Sequence, residues 1–126
     1  ALLSAGSQRN QADQIQPLIS AEELRGLQQK TAQIHASPAL IDYVQAILEA
    51  SRQHPDFQHG LSPRAGLSLL SAARAWACLA GRDIVLPDDI QDVLPAVARH
   101  RLRSAQGSGF AKAEDIAGLI RSIAIP

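Results

Sequence analysis

Apolar residues recur at helical spacing in five segments of the chain, and the first segment has a clear helix start. Ser20 and Glu23 form the S-x-x-E pattern of a capping box, in which each side chain bonds to a backbone amide at the other position. Apolar positions then follow at intervals of three and four residues, which predicts a helix over about 21–34 with one buried face. That face consists of Leu24, Leu27, Thr31 and Ile34.

The second helix is predicted from a serine–proline pair, Ser37-Pro38. A polar N-cap followed by proline is a favourable start, because proline has no N–H to leave unpaired in the first turn. The apolar spacing continues to about residue 53, and Pro55 follows, so a helix over about 38–53 is expected. Its buried stripe is Leu40, Val44, Ile47 and Leu48.

A second serine–proline pair, Ser62-Pro63, opens a run rich in alanine and leucine that is the most helical part of the chain. The run ends at Gly81, where a glycine is typical just beyond a helix C-terminus. Its many alanines allow a neighbouring helix to approach closely. The face predicted to be buried consists of Leu69, Ala73, Trp76, Ala77 and Ala80.

Two more helices complete the prediction. Asp88 and Asp89 follow a proline and place negative charge at the start of the fourth helix, where the helix dipole favours it. Pro95 is expected to kink or end this helix. The fifth helix is predicted over 111–124 from the spacing of its isoleucines and leucine. Buried stripes are Ile90, Val93, Leu94 and Val97 in the fourth helix, and Ile116, Leu119, Ile120 and Ile123 in the fifth.

The predicted fold is all-α, a small five-helix bundle with two short extended segments, 82–85 and 100–103. Residues 1–17 are rich in Ser, Gln and Asn without sustained periodicity, so they are interpreted as a linker or N-terminal tail. The helical domain is therefore expected to occupy 18–126.

Composition agrees with one helical domain. The chain has 126 residues, of which 46% are hydrophobic and only 3% aromatic, and a core of alanine and leucine suits packed helices. Twelve basic and twelve acidic residues balance, so neither nucleic acid nor an anionic membrane is an expected partner. A single cysteine excludes an internal disulfide and favours a reducing, cytoplasmic compartment. The absence of methionine, even at position 1, suggests a piece of a longer chain.

Few residues suggest a catalytic or metal site. The sequence has no G-x-x-x-x-G-K-[ST] phosphate loop, no G-x-G-x-x-G and no G-x-S-x-G. His54 and His59 flank Asp56 in a loop, but their spacing matches no common metal site, so no metal is predicted. Cys78 lies within an apolar helix and is interpreted as a packed thiol. This chain is therefore not expected to be a complete enzyme by itself.

Arg64 stands out because of its place in the third helix. It falls in the first turn, where the positive end of the dipole opposes a cation and backbone N–H groups are unpaired. An arginine beside such groups suits an anion, since its planar fork matches phosphate oxygens. The alternatives are that Arg64 simply points into water or pairs with a carboxylate such as Asp56.

The order of motifs over residues 60–102 resembles the lid subdomain of MoxR-type AAA+ ATPases. It consists of G-x-S-P-R-A, an Ala/Leu helix, G-R-D-x-V, a proline-Asp-Asp-Ile helix start and H-R-L. The upstream runs SAEELRGLQ and SPALIDYVQAILEASRQHP resemble the preceding lid helices of that family, so the similarity covers about 18–124. The resemblance implies an AAA+ lid type of helical bundle.

The resemblance also implies a function. In the family, the arginine of S-P-R-A is the sensor-2 residue, which reaches from the lid to the terminal phosphate of ATP. By position this is Arg64, with Ser62 and Pro63 setting the helix start. The implied partners are the AAA+ core of the same chain, neighbouring subunits of a hexamer and a von Willebrand A-type protein, in chaperone-like remodelling. ATP and Mg are expected to be held mainly by the core.

Two departures from the family pattern matter. Leu86 stands where the family usually has Thr or Ser, and losing that N-cap should cost the fourth helix about 1 kcal/mol, which Asp88 and Asp89 partly offset. The second departure is that the phosphate loop, Walker B carboxylate, sensor-1 residue and arginine finger are all absent. The chain alone is therefore expected neither to hydrolyse ATP nor to hold a cofactor.

The basic run at 99–103 allows two interpretations. If this segment is extended, Arg99, Arg101 and Arg103 share one face, with His100 and Leu102 on the other. Without interleaved aromatic residues and net charge, an exposed face or a contact between ring subunits is favoured over nucleic acid. Arg82 and Asp83 are interpreted as a local turn pair.

Two other functions compete with the ATPase lid. One is a free-standing helical module that binds a partner's helix in a groove. The other is a small DNA-binding helical domain, which the balanced charge disfavours.

Overall fold

A computed structural model of the protein describes residues 12–107 and 109–126. Of the expected tail at 1–17, residues 1–11 lie outside the described residues, and 12–17 are exposed. Five helices have their full length within the described part. They are α1 (Ala21–Gln33), α2 (Pro38–Gln53), α3 (Pro63–Leu79), α4 (Pro87–Ala98) and α5 (Ala113–Arg121).

The three helix starts predicted from serines are confirmed. At α1, the Ser20 N–H donates to Glu23 Oε2 at 2.6 Å and the Glu23 N–H donates to Ser20 Oγ at 3.1 Å, which closes the capping box. Ser37 Oγ accepts from the third amide of α2 at 3.2 Å, so its cap has the expected form. At the end of α3, Gly81 has φ +75°, a conformation that favours glycine.

The starts of α4 and α5 are capped differently, by a carboxylate in the first turn. The Leu86 N–H donates to Asp89 Oδ2 at 2.7 Å, and the Lys112 N–H donates to Asp115 Oδ2 at 2.9 Å. A first-turn carboxylate therefore satisfies a backbone donor that a leucine or lysine at the N-cap cannot.

Helix α4 continues through Pro95 to Ala98, so Pro95 does not end the helix, which was one of its two predicted effects. The ring of Pro95 is exposed, whereas Leu94 and Ala98 on either side are completely buried. Burial of these neighbours outweighs the cost of one missing backbone hydrogen bond.

Helix α3 lies at the centre of the bundle and contacts α1, α2 and α4, with α4 as its most extensive neighbour. Small side chains permit this close packing: a Cβ added to Gly66 would lie 2.7 Å from Leu48 Cδ1. The core is one continuous cluster drawn from α2, α3, α4, α5 and the connecting segments. Its completely buried apolar members are Ile47, Leu69, Ala73, Ala77, Ile90, Leu94, Ala98, Leu102 and Leu119.

The all-α prediction is confirmed, because the described residues contain no β-strand. Isolated bridges join His35 to Ile84 in parallel, and Phe57 to Ser104 and Arg103 to Phe110 in antiparallel pairs. The first predicted extended segment, 82–85, takes part in the His35–Ile84 bridge.

Three predicted features of side-chain placement are wrong. Helix α1 buries none of its residues; Leu24 and Leu27 remain about half exposed, and only Ile34 beyond its end is buried. On the predicted buried face of α3, Trp76 and Ala80 are exposed; Trp76 is 48% exposed, and its indole N–H donates to Asp92 Oδ2 at 3.2 Å.

The third wrong prediction concerns the faces on which the side chains of residues 99–103 lie. Residues 99–101 form a turn, and Arg99 has helical backbone angles, so the three arginines do not alternate along a strand. Leu102 is completely buried while His100 is exposed, which contradicts their predicted common face.

Among the described residues, no helix is long and apolar enough to cross a membrane.

Candidate functional site

The loop before α3 is attached to the C-terminal end of α2 by one buried serine. Ser51 Oγ accepts from the Leu61 N–H at 2.8 Å and donates to the Leu48 carbonyl at 2.7 Å. Both Ser51 and Leu61 are almost fully buried. A buried polar group with both its hydrogen bonds made holds its partners in one geometry, so Ser51 sets where α3 begins.

Gly60 allows the loop to lie directly against the backbone of α2. A Cβ at this position would come within 2.4 Å of Arg52 Cα and Arg52 N, a clash with main chain that a side-chain movement cannot relieve. The Arg52 Nε also donates to the Leu61 carbonyl at 3.4 Å. The close approach explains why glycine occupies position 60.

The first turn of α3 is built around Ser62. Its hydroxyl accepts from the Ala65 N–H at 3.2 Å, and its carbonyl accepts from the Gly66 N–H at 3.2 Å. Pro63 fills the first helical position, and Ala65 is 99% buried against the core, with a relative exposure of 1%. This capped and buried turn leaves one long side chain, that of Arg64, on its outer surface.

Arg64 is exposed, as expected both for an arginine that binds an anion and for one that points into water. Its predicted alternative partner, Asp56, instead lies 3.7 Å from His54 Nδ1, and none of the ion pairs found among the described residues involves Arg64. The first turn of α3 carries no acidic side chain. A guanidinium therefore stands at the positive end of a helix without a neutralising carboxylate, an arrangement that favours an anion from outside.

The surface beside this turn is apolar. An open groove of about 420 Å³ runs between α2 and α3 and starts at Pro63. Ile41 and Leu67 on its walls are 39% and 71% exposed. The structure thus places Pro63 at the edge of an apolar groove, with Ser62 and Arg64 next to it in the chain.

A second arginine near a helix start behaves differently, and its predicted partner is wrong. Arg82 does not pair with Asp83; it donates from Nη1 to Asp89 Oδ2 at 2.7 Å and from Nη2 to Asp89 Oδ1 at 2.5 Å. Asp89 is only 2% exposed. Because Asp89 Oδ2 also accepts the Leu86 N–H, one carboxylate both neutralises Arg82 and caps α4.

The electrostatics of this pair follow from its hydrogen bonds. Donation by Arg82 lowers the pKa of Asp89 below its ordinary value, the Leu86 N–H lowers it further, and burial acts in the opposite direction. The hydrogen bonding of Arg82 to Asp89 also raises the pKa of Arg82. Asp89 is therefore charged and fully engaged, so the pair is a structural feature and does not present a free charge.

The remaining candidates from the sequence do not form a site together. The Asp56 N–H donates to His54 Nδ1 at 3.3 Å, and the His54 ring packs 4.8 Å from that of Phe57, while His59 is exposed. No group of three or more His, Cys, Asp or Glu within residues 12–107 and 109–126 is placed to hold a metal. Cys78 is partly buried against the core, as its position in an apolar helix suggested.

Residues 49–119, more than half of the chain, match the family model described as "AAA lid domain". The chain belongs to the AAA lid domain family. The matched segment includes the Ser51 anchor, the α3 start with Arg64 and the Arg82–Asp89 pair. The fold and the resemblance of the sequence to MoxR-type lids are thereby confirmed.

Three curated relatives are similar in sequence to this AAA lid, and two of them are named MoxR. It is 36% identical over 101 residues to the uncharacterized protein YeaC of Bacillus subtilis, a match of 80% of this chain and 32% of YeaC. Chaperone MoxR1 of Mycobacterium tuberculosis is 37% identical over 98 residues, covering 71% of this chain and 26% of the relative. Protein MoxR of Paracoccus denitrificans is 41% identical over 81 residues, covering 54% and 24%.

A crystal structure of a protein provisionally described as an ATPase, from Cytophaga hutchinsonii, has the same fold. Its TM-score is 0.80 at 25% identity, and the match covers 90% of this chain and 38% of that protein. The AAA lid therefore spans about a quarter to a third of the curated relatives it matches, and somewhat more of the crystallised protein.

Sequence reasoning found the exposed Arg64 but missed the roles of two buried residues, Ser51 beside the α3 start and Asp89 in the pair with Arg82. Ser51 lies in a helix with nothing in the sequence to distinguish it from a surface serine. Asp89 was noticed for its charge at the start of α4, but its bond to Arg82 spans seven positions. The one signal for the capping role of Asp89 is that a first-turn carboxylate follows Leu86, an N-cap residue whose side chain cannot form a hydrogen bond.

Proposed function

We propose that this chain is the lid of a MoxR-like AAA+ ATPase and that Arg64 is its sensor-2 arginine, which contacts the terminal phosphate of ATP. The supporting observation is that Arg64 is exposed and unpaired among the described residues, on a helix start fixed by Ser62 and Ser51. A fixed start limits the directions in which the guanidinium can extend. Pre-organisation of this kind is what a phosphate contact in the transition state requires.

The chemistry assigned to the chain is limited to charge stabilisation. During phosphoryl transfer, negative charge develops on the phosphoryl oxygens, and a bidentate guanidinium stabilises it. The phosphate loop, the Mg site and the attacking water belong to an AAA+ core in a longer chain. Ser62 and Pro63 hold the α3 start and do not themselves transfer a proton.

The apolar groove beside Pro63 supports the second part of the proposal, that the lid lies against a core. Ile41 and Leu67 expose apolar area that another protein surface would cover. Closure of a rigid lid over nucleotide transmits the bound state to a neighbouring subunit. We propose a hexameric, cytoplasmic remodelling ATPase, with a von Willebrand A-type protein among its partners.

The test is Arg64→Ala in a longer chain that joins this lid to its ATPase core. The rate of ATP hydrolysis should fall by up to about 10³–10⁵-fold, the range for arginines that stabilise a transferring phosphoryl group. Arg64→Lys should recover only part of the rate, because an ammonium keeps the charge and loses the planar fork. Steady-state phosphate release measures both.

The matched control is Arg25→Ala, since Arg25 is exposed on α1 and makes none of the hydrogen bonds described here. Its hydrolysis rate should remain within about twofold of the unmodified chain. Circular dichroism on the same samples should show that Arg64→Ala leaves the helices intact, because an exposed side chain adds little packing. Unchanged turnover in a folded Arg64→Ala chain contradicts the sensor assignment.

A helix-binding module remains a second candidate, supported by the groove between α1 and α3. Leu24 and Leu27 line it at about half exposure, and the Arg74 Nε in its wall is buried without a hydrogen-bond partner among the described residues. Leu27→Asp discriminates the two functions. It should abolish partner binding if this groove is the functional surface, and Arg64→Ala should then have no effect on binding.

A further inference from the structure

Positive charge is concentrated in the connection between α4 and α5, in a chain whose overall charge is zero. Between Val93 and Ala113 the sequence has four Lys or Arg residues and no Asp or Glu. These residues form none of the ion pairs found among the described residues. They are Arg99, Arg101, Arg103 and Lys112.

The fold assembles part of this segment into a groove. Its volume is about 470 Å³; one wall is the last turns of α4 with Arg99 and His100, and the other is the chain from Phe110 into α5. The Ala111 N–H donates to the Leu102 carbonyl at 2.8 Å, which holds the second wall against the first. The lining between the cations is apolar and consists of Pro95, Ala96, Phe110, Ala111 and Ala113.

One hydrogen bond and one aromatic contact orient two of the cationic side chains. The Arg101 Nε donates to His100 Nε2 at 3.3 Å. The guanidinium of Arg103 lies 5.5 Å from the centre of the Phe110 ring, a cation–π contact that occupies one face of the ring. Phe110 is still 53% exposed, so an apolar edge remains open to the groove.

We propose that this groove, lined by Pro95, Arg99 and Lys112, binds an acidic peptide segment that places one apolar side chain between flanking carboxylates. The charge of the rim is complementary to Asp and Glu, and the apolar lining is complementary to a leucine-sized anchor. The proposal is independent of the nucleotide function, because neither Arg64 nor ATP takes part in it.

The lining favours an acidic peptide over nucleic acid. Single-stranded nucleic acids bind to basic grooves through aromatic faces on which bases stack. Of the two aromatic rings in the groove, Phe110 has one face covered by Arg103, and His100 accepts a hydrogen bond from Arg101. An apolar lining between charges instead suits a peptide, whose side chains alternate between carboxylate and hydrocarbon within a few ångströms.

The test uses the whole chain and a fluorescent peptide in which Glu/Asp pairs alternate with single leucines. Fluorescence anisotropy should show binding that weakens as sodium chloride is added, since exposed ion pairs are screened by salt. The double variant Arg99→Glu, Lys112→Glu should weaken binding at least about tenfold, because two attractions become repulsions. Ala96→Trp, which fills the lining without a change of charge, should also reduce binding at least about tenfold.

The matched control is Arg25→Glu, Lys30→Glu, which makes the same charge change on the exposed surface of α1. Its affinity should stay within about twofold of the unmodified chain at the same salt. Peptides with Gln/Asn in place of the acids, or Ser in place of leucine, should bind at least about tenfold more weakly.

Five outcomes overturn the proposal. The first three are no binding by the unmodified chain, equal loss in the α1 control and equal binding of the leucine-free peptide. The other two are unchanged binding by Ala96→Trp and displacement by an oligothymidylate at lower concentration than by unlabelled peptide. Ala96→Trp leaves every charge in place, so its result decides whether the groove itself is the site even if the double variant unfolds.

Discussion

Helices α3 and α4 each begin close to an arginine, and the two arginines differ in every respect that decides availability. Arg64 is exposed on a turn capped by Ser62, and it has no ion-pair partner among the described residues. Arg82 forms two hydrogen bonds to the buried Asp89, whose carboxylate also accepts the Leu86 N–H and so caps α4. The same residue type is free in one place and engaged in the other.

The difference comes from how each helix satisfies its first amides. A serine cap is neutral and short, so it bonds to the backbone and leaves the neighbouring cation alone. A carboxylate cap has acceptor capacity to spare and carries a charge, so a nearby guanidinium binds to it. The neutral cap therefore keeps Arg64 available to a ligand, whereas the charged cap makes Arg82 part of the fold.

The largest expected effect on stability is that of removing the charged cap. Asp89→Ala should lower the free energy of unfolding by about 3 kcal/mol, because it leaves Arg82 without its partner and the Leu86 N–H without its acceptor. Asp89→Asn, which keeps an oxygen for Leu86, should lose less. Urea unfolding followed by circular dichroism measures each.

Arg82→Ala tests the other side of the pair and should destabilise the chain less than Asp89→Ala, since Asp89 still caps Leu86. The comparison fails if Arg64→Ala destabilises the chain as much as Arg82→Ala does.

The second prediction concerns pH and follows from the lowered pKa of Asp89. A carboxylate with a lowered folded pKa stabilises the fold above its unfolded pKa of about 3.8 and loses that contribution as pH falls through the folded value. Stability should therefore fall more steeply below about pH 4 in the unmodified chain than in Asp89→Asn. Parallel loss in both chains would show that the Arg82–Asp89 bond does not control acid unfolding.

The smallest expected effects are those of removing the serine cap from α3 and of adding one to α4. Ser62→Ala should cost about 1 kcal/mol, because the Ala65 N–H loses its acceptor. Leu86→Ser should gain at most about 0.5 kcal/mol, less than a full cap contributes, since Asp89 already serves this helix start. Thermal unfolding of both variants checks the contrast, and an equal loss in the two would contradict it.

Local signals in the sequence predicted most of the fold and the position of Arg64. The caps at Ser20, Ser37 and Ser62 and the glycine at position 81 act within a few residues, so their effects can be read from short patterns. The exposure of Arg64 fits the same logic, because a charged side chain in the first turn of a helix is almost never fully buried unless it is paired.

What the sequence did not predict depends on tertiary neighbours. Leu24 and Leu27 have the spacing of a buried stripe, but α1 contacts only α3 among the described helices, so half of each side chain stays exposed. The Arg82–Asp89 bond joins two segments whose approach is fixed by packing of α3 on α4. Pro95 was judged by its backbone cost alone, whereas burial of its neighbours decides the outcome.

The hydroxyl of Ser51 has a mechanical consequence. A pull on the Arg64 side chain acts on the first turn of α3, and the chain leading into that turn is bonded to α2 through the Leu61 N–H and lies against Arg52 at Gly60. The hydrogen bond from the Leu61 N–H to Ser51 Oγ therefore limits how far the first turn of α3 can shift relative to α2. A force on the Arg64 side chain is therefore expected to displace α2 and α3 together.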